Sequence, residues 1–432
     1  MNERDAILRH LDSDYTEPIR DPIWKHIYLS RSLMRIVQAL PFQQLNDIKQ
    51  LGLTYLIYPG ATHTRFNHSL GVFHLARQMI IHLIKKPIQP PLTLTGVKAF
   101  LCAALLHDLG HYPFAHSLKE LDIKDHETLT AEAIMNNVQL NSLISESLAV
   151  PPKVVAAIIN LKSSAPPGEN IPFFRKLLSG VLDPDKLDYL NRDAYFCGIP
   201  YGIQDIDFIF SQISPHRSKG VCISRKGLTS VESILFSKYL MYRNVYWHRK
   251  VRVVTAMIKK AILLGLRAGA IAPGDLYGID DQEFFSLMES SEFAPFELVR
   301  KVSRREFFIP VYSLPFSENN PLHRKIEDLE ERLEFEGFIA SKLSRTLDRP
   351  VLPEEIVIDI PERISFEIDV PILDRGESVS YKESGSVFST EVIRGFTNSL
   401  RTISILAVDE KKLTDKLKKI QMVQMFSSLM AE

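Results

Sequence analysis

The chain has 432 residues, of which 45% are hydrophobic and 24% are charged. At roughly 150 residues per domain, this length predicts two to three domains, or one large domain with an appendage. The composition excludes a mainly disordered or fibrous protein. Because Lys plus Arg and Asp plus Glu both total 52, net charge does not support a nucleic-acid coat, and any anionic substrate needs local cations.

The sequence carries no targeting or membrane signal. It begins MNERDAILRHLDSD, which lacks the apolar segment of a secretory signal. No run reaches the roughly 18 apolar residues of a membrane span, since Lys259 and Lys260 interrupt even VVTAMIKKAILLGLRAGAIA. The 3 cysteines are odd in number and far apart, which argues against a disulfide framework. We therefore expect a soluble cytoplasmic protein without a membrane partner.

Hydrophobic periodicity predicts a mostly helical region between residues 30 and 290. Residues 65–85 carry apolar side chains at helical spacing, and residues 96–108 are apolar on nearly every side, as expected in the middle of a bundle. Pro, Gly and Ser clusters separate these segments from the next ones. Further predicted helices cover residues 151–161, 173–178, 185–196 and 231–266.

The pattern changes after about residue 305. The runs FFIPVYSL, IVIDI and ISFEIDVPI are typical of strands, and charged helices are predicted over residues 328–347 and 413–425. The predicted fold class is mainly α. We expect a helical bundle domain over residues 1–300, with its core at about 50–200, and a smaller α+β module over residues 301–432.

Histidines and aspartates inside apolar surroundings are the most informative feature. His68 lies on the stripe of Val72, Leu75 and Met79, which should face the core. His107 and Asp108 end the most apolar helix, and Asp185 opens another. Since an unpartnered buried carboxylate costs several kcal/mol, these groups need cations or hydrogen bonds. A divalent metal held by imidazoles and carboxylates would satisfy all four.

Each residue alone has an ordinary explanation. A single histidine on an apolar face is usually a hydrogen-bonded core residue, and Asp185 alone would most often stabilise a helix start. The joint occurrence favours a site. The segment LLHDLGHYPFAH and the nearby pair His126-Glu127 together hold His107, Asp108, His111, His116, His126 and Glu127.

Three ordered segments, TRFNHSLGV, LLHDLGHYPFAH and DPDKLDYLNRD, resemble the HD-domain phosphohydrolases. The similarity is closest to the deoxynucleoside-triphosphate triphosphohydrolase branch, including bacterial members of uncharacterised function, and it covers residues 21–251. It implies an HD helical bundle, with no SAM-like domain expected before it. The metal ligands implied are His68, His107, Asp108 and Asp185, while Asp183 would be a capping or supporting residue.

The resemblance also implies a cofactor and a reaction. One divalent ion is expected, with Mn, Mg, Fe, Zn, Co and Ni not distinguished by these ligands, and a second Mg²⁺ can accompany the nucleotide. In this branch water attacks the α-phosphate, which releases a nucleoside and triphosphate. We choose His116 as general acid, with Glu127 orienting it or raising its pKa. His111 and His126 would donate hydrogen bonds to phosphate oxygens.

The substrate contacts also come from the resemblance. Arg65, Lys186 and Arg249 would hold phosphates, although the family commonly has Lys at the position of Arg249. For any one of these cations, a solvated surface position is the more common explanation. The residues expected near the sugar or base are Tyr189, Asp193, Gln50, Leu51 and Tyr246.

The sequence departs from the family pattern at two places, which limits how many of the family's functional roles can be assigned to its residues. The segment before IKQLG has Gln38, Gln44 and Asn46 where the regulated animal enzyme has an Asp and arginines that bind an activating guanine nucleotide. Nucleotide-activated assembly through that pocket is therefore not supported. Tyr242 stands where that enzyme has a His in its substrate site, so base and sugar preference stay open.

Three functions remain open at this point. The first is metal-dependent hydrolysis of deoxynucleoside triphosphates. The second is a phosphomonoesterase or phosphodiesterase acting on nucleotides or single-stranded nucleic acid with the same metal. The third is a non-catalytic nucleotide-binding regulator. The expected partners are a nucleotide substrate and further copies of the chain in a homo-oligomer, whereas nucleic acid is allowed but not indicated.

Overall fold

The computed structural model describes residues 2–87, 92–347, 349–364, 366 and 368–419. Helices dominate these ranges, which confirms the predicted mainly α fold class. The α-helices are α1 (Glu3–Ser13), α2 (Arg31–Val37), α3 (Leu40–Gln43), α4 (Arg65–Ile84), α5 (Leu94–Leu106), α6 (His126–Asn136), α7 (Val138–Ser142), α8 (Pro152–Ile159), α9 (Ile171–Leu178), α10 (Pro184–Cys197), α11 (Ile206–Gln212), α12 (Leu228–Met241), α13 (Arg249–Ala268), α14 (Asp281–Ser290), α15 (Glu297–Ser303), α16 (Pro321–Lys325), α17 (Leu329–Ser344), α18 (Thr390–Leu400) and α19 (Lys411–Lys419).

The strands of the described residues form three small sheets. They are β1 (Tyr15–Asp21), β2 (Lys25–Ser30), β3 (Ile213–His216), β4 (Gly220–Ser224), β5 (Ile309–Pro315), β6 (Ile356–Asp359), β7 (Ile372–Asp374), β8 (Glu377–Val379) and β9 (Thr402–Ala407). β1 and β2 form an antiparallel hairpin. The second sheet has the order β3-β4-β7-β8, with β4 and β7 parallel, and the third has the order β5-β9-β6.

The first hydrophobic core lies around α4, α5, α8 and α10. α4 packs on both α5 and α10, and α8 packs on the other side of α5. Every residue from Ala99 to Leu106 is fully buried, which explains why this stretch of sequence has no polar face.

Local signals fix where the two site-bearing helices begin. The side-chain oxygen of Asn67 accepts a hydrogen bond from the Thr64 backbone N–H at the start of α4. The Asp183 carboxylate accepts one from the Lys186 N–H, and Pro184 occupies the first position of α10. His68 therefore lies one turn into α4, and Asp185 lies in the first turn of α10.

A second core surrounds α13, α14 and α15 and includes Val357 of β6 and Leu406 of β9. The segment that follows α5 also contributes to this core. Its buried residues are Tyr112, Ala115, Leu118 and Leu121. A third core lies between α17, α19 and the β5-β9-β6 sheet.

The later part of the chain also packs onto the first core. Val370 and Ile372 are buried in it, and β7 pairs with β4. Residues beyond 300 thus contribute to the helical region as well as to the third core. The division into residues 1–300 and 301–432 stays a prediction.

The structure corrects two of the predicted segments. The described residues between 364 and 371 form no strand, because Phe366 and Val370 bury in the first core without a ladder partner, and β7 begins only at Ile372. The long helix over 231–266 is interrupted by a π-helical turn at Tyr242–Tyr246. α19 matches part of the helix predicted over 413–425, whose residues from 420 onward lie outside the described residues.

Among the described residues, no single helix has both the length and the apolar composition to cross a bilayer. Only a bent pair, Val138–Ser147 with Pro152–Ile159, meets those two criteria together, with 109° between its halves.

A substitution at Gly71 would test the close packing of α4 against α10. A Cβ at this position would overlap the side chains of Asp188 and Arg192. We expect Gly71→Ala to lower the free energy of unfolding by about 1–3 kcal/mol, the usual cost of overpacking. The control is Gly337→Ala in α17, where a Cβ would meet nothing within 4 Å and the gain in helix propensity is about 0.5–1 kcal/mol. Equal stability of the two variants in urea unfolding would contradict this packing.

Candidate metal centre

Three separated segments deliver the four predicted ligands to one place. His68 comes from α4, His107 and Asp108 follow the last turn of α5, and Asp185 comes from the start of α10. The Asp185 Oδ1 atom lies 3.0 Å from His68 Nε2 and 4.0 Å from His107 Nε2. The Asp108 carboxylate lies 3.4 Å from His107 Nε2 and 3.9 Å from His68 Nε2. Ligand atoms of His68, His107 and Asp185 all lie within 4.8 Å of one another. Asp108 lies beside this group and also forms a second such group with His111 and His126.

Hydrogen bonds at the opposite ring nitrogens orient both imidazoles. His68 Nδ1 lies 2.8 Å from the Asp188 carboxylate, and His107 Nδ1 lies 2.9 Å from the backbone carbonyl of Ala104. Both partners are acceptors, so each Nδ1 carries a hydrogen and each Nε2, once unprotonated, can present a lone pair to a cation at the centre. This arrangement is common behind metal-binding histidines.

The donor set fits a divalent cation. His107 Nε2 is buried and has no hydrogen-bond partner among the described residues, which is costly for a polar atom unless a ligand binds it. Mixed imidazole and carboxylate donors suit several divalent ions and do not select one. His68, His107, Asp108 and Asp185 would hold the ion.

Charge reinforces this assignment. Burial would lower the pKa of His68, but its hydrogen bonds to Asp185 and Asp188 outweigh that effect and raise the pKa to about 10. Burial favours protonated Asp108, yet His111, His107 and Arg65 hold the pKa of that carboxyl well below its usual range. In the free protein, a proton on His68 Nε2 thus supplies positive charge next to Asp185, and a bound cation would take the place of that proton.

A buried network behind His68 was not predicted from the sequence. Asp188 also accepts hydrogen bonds from Arg192, at 2.8 and 2.9 Å, and from the Trp24 indole at 2.5 Å. Arg192 in turn donates to Asp21 at 2.8 Å. Asp188 and Arg192 are one helical turn apart in α10, and both are fully buried. That i, i+4 pair on the core face of α10 was the available signal.

The other histidines form a group beside the centre. The His111 ring stacks on His126 with 4.0 Å between centroids and meets His116 edge-on at 4.7 Å. Both ring nitrogens of His111 are buried without a hydrogen-bond partner among the described residues. Burial and the nearby Arg65 charge lower the pKa of His126 to about 4 and that of His111 well below its usual range. These rings are neutral donors near neutral pH.

The surroundings of His116 and Glu127 agree only in part with the predicted pair of a general acid and the carboxylate that orients it. The His116 side chain is open to solvent, yet the surrounding protein and the neighbouring His111 and Arg65 lower its pKa well below its usual range. Within the described ranges, no hydrogen bond joins Glu127 to His116. Burial and Asp125 raise the pKa of Glu127. Glu127 lies in the first turn of α6, and its orienting role stays a prediction.

The predicted phosphate-binding cations have different surroundings. Arg65 donates to Asp108 at 2.6 Å, so it lies at the centre. Lys186 Nζ donates to Asp183, 2.7 Å away, and to the Gly180 carbonyl. Arg249 lines a cavity of about 410 Å³ with Pro310 and other residues of the β5-β9 side, and that lining includes none of the four candidate ligands. The structure therefore does not place Arg249 at the metal centre.

The predicted sugar-side residues are close together. The rings of Tyr189 and Tyr246 meet edge-on at 6.4 Å, and the Tyr246 hydroxyl donates to Asp193 at 2.6 Å. Asp193 also lies 2.9 Å from His63 Nε2, a contact that the sequence did not reveal. Gln50 is joined to His63 by a backbone hydrogen bond.

Other details of this side bear on the predicted specificity. Leu51 is half-buried beside Gln50, whose side-chain oxygen is buried without a hydrogen-bond partner in the described part of the chain. Tyr242 packs edge-on against Tyr246 at 5.0 Å and against Trp247 at 5.2 Å. The bulky ring of Tyr242 is therefore part of the wall behind Tyr246.

Two family descriptions match most of the chain. The HD domain matches residues 65–191, which contain all four candidate ligands, and the HD associated region matches residues 212–417. The chain therefore belongs to the HD-domain phosphohydrolase superfamily.

Individual relatives agree with this family. An uncharacterized protein of Methanocaldococcus jannaschii is 34% identical over 311 residues, which are 71% of this chain and 62% of that protein. The deoxynucleoside triphosphate triphosphohydrolase SAMHD1 of Danio rerio is 30% identical over 292 residues, or 59% of this chain and 46% of that protein. The aligned part thus spans about half to three-fifths of these relatives.

A solved structure supports the fold over nearly the whole chain. The crystal structure of a hypothetical protein from Aquifex aeolicus has a TM-score of 0.69 and 25% sequence identity, and it covers 93% of this chain and 98% of that one. The arrangement of helices and small sheets described above is therefore shared well beyond the HD domain itself.

Asp188 offers a direct test of the orienting network. We expect Asp188→Asn to weaken Mn²⁺ binding by about 10- to 100-fold, because the charged acceptor that orients His68 is lost. Isothermal titration calorimetry measures this affinity. The control is Asp193→Asn in the same helix, which contacts Tyr246 and His63 but none of the four candidate ligands. Equal Mn²⁺ affinity of the two variants would contradict the role of Asp188.

Proposed function

We propose that this protein hydrolyses deoxynucleoside triphosphates to a deoxynucleoside and inorganic triphosphate with the help of one divalent metal ion. The observation that carries the proposal is the convergence of His68, His107, Asp108 and Asp185, with the buried His107 Nε2 left for a ligand. The similarity to the SAMHD1 triphosphohydrolase over the same region supports this substrate class.

The groups around the centre suit a polyphosphate. A bound divalent ion would lower the pKa of a water ligand and offset phosphate charge. Arg65 and the neutral rings of His111 and His126 would donate hydrogen bonds to phosphate oxygens. Lys186 would add a further contact if its Nζ exchanged its bond to Asp183 for one to the substrate.

His116 would protonate the leaving 5′-oxygen. Water adds to the α-phosphorus and gives up a proton to solvent, the bond from that phosphorus to the 5′-oxygen breaks, and the proton from His116 completes the nucleoside hydroxyl. The low pKa of His116 in the free protein comes from the surrounding protein and from neighbouring His111 and Arg65. A triphosphate placed beside it raises that pKa, because negative charge favours the imidazolium. Bound substrate would thus favour the protonated form of the acid.

The sugar-side cluster would receive the nucleoside. Tyr246 and Tyr189 present an aromatic wall, and Asp193 fixes the Tyr246 hydroxyl. Gln50 and Leu51 would lie at the sugar edge, where the unpartnered Gln50 oxygen can accept a hydrogen bond from a sugar hydroxyl. Assembly of several copies into a homo-oligomer and a cytoplasmic location stay predictions.

The reaction product decides between the candidate functions. Protein loaded with Mn²⁺ or Mg²⁺ should release intact triphosphate from at least one of the four dNTPs, as resolved by chromatography. We expect His107→Ala and Asp108→Ala to abolish this release, because each removes a candidate ligand. Release of orthophosphate or pyrophosphate alone would indicate a phosphomonoesterase or phosphodiesterase. Tight nucleotide binding without turnover would indicate a regulator.

The general acid has its own test. We expect His116→Gln to lower kcat for triphosphate release by about 10²- to 10⁴-fold, while Mn²⁺ affinity stays unchanged because His116 is not a candidate ligand. Product analysis at timed intervals measures kcat, and isothermal titration calorimetry measures the Mn²⁺ affinity. A variant with the kcat of the unmodified protein would exclude His116 as the acid.

A further inference from the structure

The segment that carries His111 and His116 belongs to a different core from the candidate ligands. We name residues 109–125 the histidine loop. His68 and Asp185 lie on helices of the first core, whereas Tyr112, Ala115, Leu118 and Leu121 of the histidine loop bury in the second core, around α13, α14 and α15. The position of the loop histidines therefore depends on the HD-associated region.

One carboxylate ties the loop to that region. Glu120 accepts a hydrogen bond from Lys259 of α13 at 2.9 Å and from Arg332 of α17 at 3.3 Å. Lys259 and Arg332 are 5% and 3% exposed. Without Glu120, Lys259 would keep only the more distant Glu362 carboxylate among the described residues, at 3.8 Å. Removing one partner of a buried ion pair is unfavourable because the remaining charge is less well compensated.

The loop backbone also depends on external support. Phe114 has a φ of 62°, a left-handed conformation that is unfavourable for a residue with a side chain. Its ring packs against Phe284 at 5.0 Å and against Phe285 at 6.2 Å, both on α14. Phe114 precedes the short 3-10 helix Ala115–Leu118, which contains His116. Contacts with the HD-associated region thus hold a strained backbone next to His116.

We propose that Glu120 is a positioning residue, which holds the histidine loop against α13 and α17 so that His111 and His116 face the metal centre. The inference rests on the proposed function only where it predicts a change in kcat for triphosphate release. Arg332 has other fixed partners, since it donates to the carbonyls of Ile326 and Glu327. The cation pair is therefore a rigid anchor for Glu120.

The experiment compares Glu120→Gln with the unmodified, Mn²⁺-loaded full chain. We expect faster amide hydrogen exchange in residues 109–125, by about tenfold or more for a local opening, and unchanged Mn²⁺ affinity. The kcat for triphosphate release should fall by about tenfold or more, as expected when a general acid is misplaced, with KM little changed. Lys259→Met removes one of the two donors to Glu120, and we expect it to produce the same changes at smaller size. It replaces Glu120→Gln as the test variant if that variant does not fold.

The matched control is Glu336→Gln. Glu336 is a buried carboxylate of α17 that pairs with Lys260, the residue after Lys259, and among the described residues no hydrogen bond or ion pair joins it to the histidine loop. It should leave exchange in residues 109–125 and kcat at the unmodified values. If the unmodified protein releases no triphosphate, the proposed function fails while the exchange comparison still decides the role of Glu120. Unchanged exchange in Glu120→Gln, or a loss of Mn²⁺ affinity in step with kcat, would overturn the inference.

Discussion

The buried Asp188 carboxylate is the interaction on which the rest of the site depends. Four hydrogen-bond donors reach it, one from His68, two from Arg192 and one from Trp24. A carboxylate removed from water costs several kcal/mol unless such partners replace its hydration. The same bonds fix α4 against α10, and through Arg192 and Asp21 they extend to β1. The orientation of His68 follows from this packing.

The two cores give the metal centre and the histidine loop separate supports. The candidate ligands are held where α4, α5 and α10 meet, and the loop is held by the HD-associated region. This arrangement also explains an odd feature of the sequence. Lys259 and Lys260, which interrupt an apolar run, are both buried and pair with Glu120 and Glu336. They connect α13 to other parts of the chain.

Much of the site could be predicted because its residues lie in local sequence patterns. The stripe of His68, the all-apolar α5 ending in His107, and the capped start of α10 each require only a few neighbouring residues. The partners could not be predicted in this way. Trp24 and Asp188 are 164 positions apart, and the pairing of Glu120 with Lys259 joins residues 139 positions apart. Such contacts depend on how the helices pack.

One predicted strand is wrong, and the predicted roles of Arg249 and Glu127 stay predictions. Arg249 follows Tyr246 closely in sequence, but it begins α13 after the π-helical turn and lines a cavity on the β5-β9 side. Glu127 lies beside His126 in the first turn of α6, and no hydrogen bond joins it to His116 among the described residues. The segment 364–372 alternates like a strand, although its buried residues fill the first core.

The most direct measurement of the central claim is anomalous scattering from crystals grown with Mn²⁺. The account predicts a peak within about 2.0–2.3 Å of ligand atoms from two imidazoles and two carboxylates, those of His68, His107, Asp108 and Asp185. A peak at another place in the molecule, or none at this centre when Mn²⁺ is bound in solution, would contradict it.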